Sequence, residues 1–303
     1  MKLLFLISFI LIYTGCTQAK PYTPEMANFP RDAATIDTHR DWEWESYDGW
    51  YNNLGHPDWG GADMQLYRRL VPEYSDGVYF PSGEERSNPI LVSDQIMKGF
   101  TGQSSQAKNR RTAFFIFFGQ QVVEEVLDAQ RAGCSVEYLN LTVPLCHDLY
   151  DFDCNGYVAI PFPRSRYNKL TGQSPGVPRE QMNEITPYFD GGLMYGVTKT
   201  WADALRALSE EYKGALAIIE GASFTDAATQ LPAINNIGLP MANPSPPANH
   251  SLYTVNRFFR LGNPRGNENP FLMTWGIFWF RVHNFFASIL RQVYATDARW
   301  TDE

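Results

Sequence analysis

Phe114 to Asp128 reads FFIFFGQQVVEEVLD, and at 3.6 residues per turn this stretch sorts its side chains onto two faces. Gln120, Glu124 and Asp128, flanked by Gln121 and Glu125, form a polar stripe, while Phe115, Phe118, Val122, Val123 and Val126 share the opposite arc. By pattern alone the carboxylates are a solvated helix face. Helical spacing also dominates from about Asp94 to Phe100, Thr198 to Glu210 and Phe271 to Tyr294, and alternating strand patterns are scarce. The chain is therefore expected to be mainly α-helical with long irregular loops. Its 303 residues are 44% hydrophobic and 15% aromatic, enough to bury one sizeable core.

The last of these helices starts after Asn269, with Pro270 at a favoured first-turn position, and continues FLMTWGIFWFRVHNFFASIL. Its length invites a membrane-spanning reading. Arg281, His283 and Asn284 in its middle argue instead for a buried core helix, since ionised groups are costly in lipid. His283 in that setting reads as a satisfied core histidine rather than a ligand.

Met1 to Ala19 puts Lys2 ahead of an uncharged apolar run, Leu3 to Tyr13, and ends in small or polar residues, the pattern of a secretory signal. The run is shorter than the roughly 20 apolar residues of a membrane anchor. Cys16 after Gly15 fits a lipoprotein box poorly, because Tyr13 stands where leucine is wanted. The expected organisation is a signal over residues 1–19, a polar leader over 20–45 and one large domain over 46–303. Removal of the signal takes Cys16 with it; Cys146 and Cys154 then close a short loop, and Cys134 is left over, either buried or paired outside the chain. Asn140-Leu141-Thr142 and Asn249-His250-Ser251 are glycosylation sequons. The net charge of -8, with no basic stripe, argues against a nucleic-acid partner.

Candidate sites differ in strength. Asp151-Phe152-Asp153-Cys154-Asn155-Gly156 opens like a calcium loop, but Phe162 stands where a bidentate glutamate is needed, so it reads as a turn. In Thr186-Pro187-Tyr188-Phe189-Asp190-Gly191-Gly192 a hydroxyl, a backbone carbonyl and a carboxylate alternate, a set of hard oxygens that calcium favours. An Asp-Gly-Gly turn without metal gives the same string. On the loop Leu261 to Pro270, Arg265 is a guanidinium able to stabilise charge on a departing oxygen, or a plain surface ion-pair member.

Taken in order, YDGWYNNL at Tyr47 to Leu54 with HPDWG after it, PEYSDGVY at Pro72 to Tyr79, the FFGQQVVEEVLDAQ helix, IPFPRSR at Ile160 to Arg166, ITPYFDGGLMYG at Ile185 to Gly196, and Arg260 to Pro270 resemble the animal haem peroxidase superfamily. The likeness is greatest to the peroxidase-homology ectodomain of dual oxidases and runs from about residue 45 to the end. The resemblance implies haem b and calcium as cofactors. It gives Arg265 the role of the distal arginine that helps split peroxide, Glu268 that of a carboxylate ester-linked to haem, and Thr186, Tyr188 and Asp190 those of calcium ligands. Hydrogen peroxide and a small electron donor are the implied substrates. A maturation partner and the rest of an oxidase are the implied protein contacts, on the extracellular side.

The departures concern chemistry. Val123 replaces a haem-linking aspartate, Glu124 the distal histidine, Glu125 a calcium-binding aspartate and Gly192 a calcium-binding serine. A glutamate shuttles a peroxide proton only with a suitable pKa and reach, whereas Glu125 keeps the charge and oxygens that calcium needs. The family's axial histidine lies beyond the matched region, and His283 aligns with a non-ligating one. The chain is thus expected to be a partial product, and a non-catalytic interaction scaffold is the competing reading.

Overall fold

The computed structural model describes residues 43, 45–83, 86–98, 111–129, 132–240 and 258–296. The signal, most of the leader, Cys16 and the Asn249 sequon lie outside the described residues. Helices carry the regular structure: α1 (Pro89–Lys98), α2 (Phe114–Val126), α3 (Gly192–Tyr195), α4 (Lys199–Leu205) and α5 (Pro270–Val293). The strands, β1 (Met64–Gln65), β2 (Leu141–Thr142), β3 (Ala159–Ile160) and β4 (Met182–Asn183), are two residues each. The mainly helical, loop-rich class expected from the periodicity is the one observed, although the helix expected to reach Glu210 stops at Leu205, and Phe100 lies outside the described residues.

The chain divides into two compact units. One takes Gln65–Lys108 and Ala129–Asn183; the other takes Asp41–Met64, Asn109–Asp128 and Glu184–Glu303. In the first, β2 and β3 pair antiparallel with Leu141 opposite Ile160 and Thr142 opposite Ala159. The connection between them is closed by the expected Cys146–Cys154 disulfide. Buried Asp151 accepts the backbone N–H groups of Cys146, Asn155 and Gly156 at 2.8–3.1 Å, which makes the calcium-like string a self-satisfied turn. His147 Nε2 meets Asp94 of α1 at 3.0 Å, tying that turn to the helix. Cys134 departs from expectation: it is disulfide-bonded, and no described cysteine is free.

The second unit is built on α5. Asn269 caps it by accepting from Phe271 and Leu272 N–H, and Pro270 follows at the first turn, where its missing N–H costs nothing. Leu272, Gly276, Phe280, Asn284 and Ala287 form the buried stripe. Phe280 packs with Met194, Leu205 and Leu216 into a core bordered by Tyr195, Trp201 and Trp279. Full burial of each such side chain stabilises by about 1.5–3 kcal/mol. The polar trio in the middle is used for docking loops. Arg281 donates to the carbonyls of Gln230 (2.8 Å) and Ala228, His283 meets that of Gly214, and Asn284 exchanges hydrogen bonds with Leu216.

The expectation of a fully buried α5 needs correction, because Phe271, Phe278, Phe285, Phe286, Leu290 and Val293 are exposed. A near-continuous apolar string gives hydropathy but no face, so it cannot reveal that only one stripe is covered. No described helix is long and apolar enough to cross a membrane.

Candidate functional site

Helix α2 reverses the expectation of a solvated acidic face. Gln121, Glu124, Glu125 and Asp128 are buried, Glu125 at 2% exposure, while Phe115, Ile116 and Val123 on the other arc are exposed, Val123 at 53%. Buried carboxylates need compensation, and Glu124 and Asp128 find it in the Arg260 to Pro270 loop. Arg265, 3% exposed, brings Nη1 to 2.5 Å from Glu124 Oε2 and Nε to 3.3 Å from Asp128 Oδ2. Its Nη2 donates to the Glu124 carbonyl at 2.9 Å, and Asn263 Nδ2 donates to the same oxygen. Carboxylates at a helix C-terminus oppose the dipole, and the guanidinium seated there offsets both effects. Asn263 Oδ1 in turn accepts from Arg265 N and Nε, fixing the fork.

Gly262 lets this loop approach α3, for a Cβ there would fall 2.3 Å from Gly196 N and 2.6 Å from Gly192 O. Glu124 is pushed above the ordinary glutamate range by burial, with Arg265 pulling it down and Glu268 and Asp128 raising it. Glu268 is exposed and accepts from Gln120 Nε2 at 3.0 Å.

One residue along, Glu125 has different surroundings. Its Oε1 accepts Leu193 N–H at 3.2 Å, and its buried Oε2 has no hydrogen-bond partner. A Cβ on Gly192 would lie 3.5 Å from that oxygen and 3.9 Å from Asp190 Oδ1, so both carboxylates flank the position that lacks a side chain. Burial, then the neighbouring Asp190, pushes Glu125 up. Burial, then Glu45, pushes Asp190 up to about 6. Thr186 is buried and its Oγ1 accepts Tyr188 N–H at 3.2 Å, beneath the turn at Gly49. Tyr188 hydroxyl reaches the Trp59 carbonyl. Among the described residues no three His, Cys, Asp or Glu side chains converge as a metal cluster, so a cation here would draw on Thr186 and the Tyr188 carbonyl as well.

Glu125 and Asp190 also border a cavity of about 450 Å³ walled by residues of α3, α5 and the preceding loop, among them Phe189, Tyr195, Trp279, His283 and Phe286. His283 is satisfied at both nitrogens, by the Tyr195 hydroxyl at 2.9 Å on Nδ1 and the Gly214 carbonyl at 2.8 Å on Nε2. The carbonyl can only accept, which places the proton on Nε2, and burial keeps the ring neutral by lowering its pKa.

The sequence-predicted residues thus separate into two groups. Glu124 and Arg265 meet directly, and Glu125 and Asp190 face each other around Gly192, while Glu268 stands outside both. Asp128 and Asn263 were not singled out as site residues. Their signals were the one-turn spacing from Glu124 and the two-residue spacing before Arg265, where an asparagine closes a local turn. Glu45 carried no signal.

A mainly helical chain with this arrangement has the fold of a haem peroxidase. Peroxidase A from Dictyostelium discoideum superposes with a TM-score of 0.67 over 86% of this chain and 48% of that one, at 24% identity. Residues 44–303 match the animal haem peroxidase family, and the chain belongs to that family. It is 38% identical over 261 residues to the dual oxidase of Drosophila melanogaster and 38% identical over 268 residues to dual oxidase 1 of Caenorhabditis elegans. Each alignment takes in 86% of this chain and 16% of the relative's length.

Proposed function

We propose that the chain is the peroxidase-like region of a hydrogen-peroxide-generating dual oxidase, carried to the extracellular side by the signal at residues 1–19. Its calcium is held by Glu125, Thr186, Tyr188 and Asp190, and its distal arginine is withdrawn from peroxide chemistry. The likeness to dual oxidases supports the assignment. The observation that carries the rest is the saturation of Arg265: Glu124 and Asp128 already take the charge that would polarise a bound peroxide.

The calcium set fits the residues present. Glu125 carries an orphaned buried oxygen, Asp190 beside it resists ionisation, and only Gly192 lies between them. Calcium, when bound, supplies the positive charge that offsets this repulsion and orders the Thr186 to Gly192 segment against α2.

Haem fits less well. Val123 forms no ester, Glu268 is exposed, and the described histidines are engaged elsewhere: His147 with Asp94, His283 with Tyr195 and Gly214, and His56 stacked on Trp59. What the chain's own residues do is hold a proton at Glu124 more firmly than a free glutamate, and hold Arg265 away from any incoming peroxide. Hydrogen peroxide and a small donor therefore belong to the family's reaction more than to this region. The same sequestration favours a second role as an extracellular scaffold for a maturation partner or for the rest of the oxidase.

The test is the secreted chain mixed with haemin and calcium, followed at the Soret band and by guaiacol oxidation. The expected result is no Soret change on adding peroxide and a guaiacol rate equal to haemin alone. Turnover above that background that falls in Arg265→Lys would overturn the proposal. Transcript sequence past codon 303 tests the oxidase assignment, with an NADPH-using module expected.

A further inference from the structure

The cavity beside Glu125 and Asp190 is far larger than a bare cation requires, and its 450 Å³ lies in the range that takes small organic ligands. One pole is acidic. Glu125 is buried with Oε2 unpartnered, and Asp190 stands next to it. The one lining guanidinium, Arg206, donates to the Gly214 carbonyl at 3.2 Å, and its charge is felt at Tyr195 and His283 rather than at the two acids. His283 is neutral and adds no positive charge. Aromatic rings line much of the rest, Phe189 before α3 and Trp279 and Phe286 on α5, with Gln121 and Tyr195 as further polar groups. A carboxylate ligand would be repelled by this pair of acids, and a neutral apolar one would leave the buried Glu125 oxygen without a partner. An ammonium head on an aromatic body satisfies both poles, since acidic groups and ring faces each attract organic cations.

We propose that this cavity binds a primary arylalkyl ammonium, with the charged head at Glu125 and Asp190 and the ring among Phe189, Trp279 and Phe286. The site goes beyond the calcium reading and competes with it, because both ligands use the same two carboxylates. Amine and calcium are then mutually exclusive occupants.

The experiment is isothermal titration of the secreted chain in EDTA with 2-phenylethylammonium and, separately, with 2-phenylethanol, its neutral counterpart of similar shape. The ammonium is expected to bind at one site and roughly tenfold or more tighter than the alcohol, the factor that a charge-assisted contact supplies. Asp190→Asn should lose that factor, as should Glu125→Gln if the first variant folds poorly, while Glu220→Gln on the exposed surface should keep it. Absence of binding, equal binding of the alcohol, or unchanged binding in both carboxylate variants would overturn the proposal. Calcium is titrated on its own in parallel. Calcium binding without amine binding sinks the amine site and leaves the calcium reading standing; amine binding that calcium does not weaken, with no calcium isotherm, does the reverse.

Discussion

Replacing Asp190 with asparagine should stabilise the calcium-free protein and destabilise the calcium-loaded one relative to the parent. The Asp190 carboxyl rises from 3.8 to about 6 because it is partly buried and, after that, because Glu45 lies near it. A raised carboxylate pKa means the folded state takes up a proton before the unfolded chain does. Folding therefore bears the full cost of the charge above pH 6, and sheds it as pH falls from 6 towards 4. Two units correspond to roughly 3 kcal/mol, which screening on the solvent side of a half-buried group reduces to about 1–2 kcal/mol. In EDTA at pH 7.5, Asp190→Asn should melt higher by roughly 2–8 °C, at about 2–4 °C per kcal/mol. The gap should narrow as pH falls through this window and close only below about pH 4, where both states of the parent are protonated. Calcium at a hundredfold excess over its Kd adds about 2.7 kcal/mol to the parent, so it should reverse the order. Thermal unfolding by circular dichroism from pH 4 to 8, with EDTA or calcium, measures all of this. A parent more stable than the variant in EDTA at neutral pH, or equal calcium shifts in both, would refute the reasoning.

Other changes follow from the same geometry. Arg265→Ala leaves Glu124 and Asp128 buried without their cation and should cost about 3–5 kcal/mol in urea denaturation, with the loss shrinking at acid pH as Glu124 protonates. Gly192→Ser places a hydroxyl near the Glu125 and Asp190 oxygens, with its Cβ in ordinary van der Waals contact with them, and should tighten calcium binding by about tenfold, read by calorimetry. Asn269→Ala removes the cap of α5 and should cost about 1 kcal/mol, whereas Asn269→Asp should restore most of it.

Helix positions were legible because periodicity and end signals are local: Pro270 after Asn269 marks a start wherever the rest of the chain goes. Burial was not legible, because it depends on what arrives from far away. The stripe Gln121, Glu124, Glu125 and Asp128 looks solvated until Arg265, 141 residues beyond Glu124, is laid against it. The same holds for the apolar arc. Hydropathy assigns Phe115 and Val123 to an interior, and only the packing of the second unit shows that the acids took that place. Of the site, the pairing of Glu124 with Arg265 was visible as two residues but not as one ion cluster. Asp190 was visible as an oxygen donor, but its resistance to ionisation comes from burial and then from Glu45, both of which depend on packing in space.

The anchoring of residues Gly214 to Gln230 by Arg281, His283 and Asn284 has a kinetic consequence. Successive turns of one rod grip that segment through Gly214, Leu216, Ala228 and Gln230, so the segment cannot peel away one end at a time without breaking the rod's own fastening. Amide hydrogens at Leu216 and along the middle of α5 should then exchange with solvent in a single concerted opening, at matched protection, while the exposed end near Val293 frays independently.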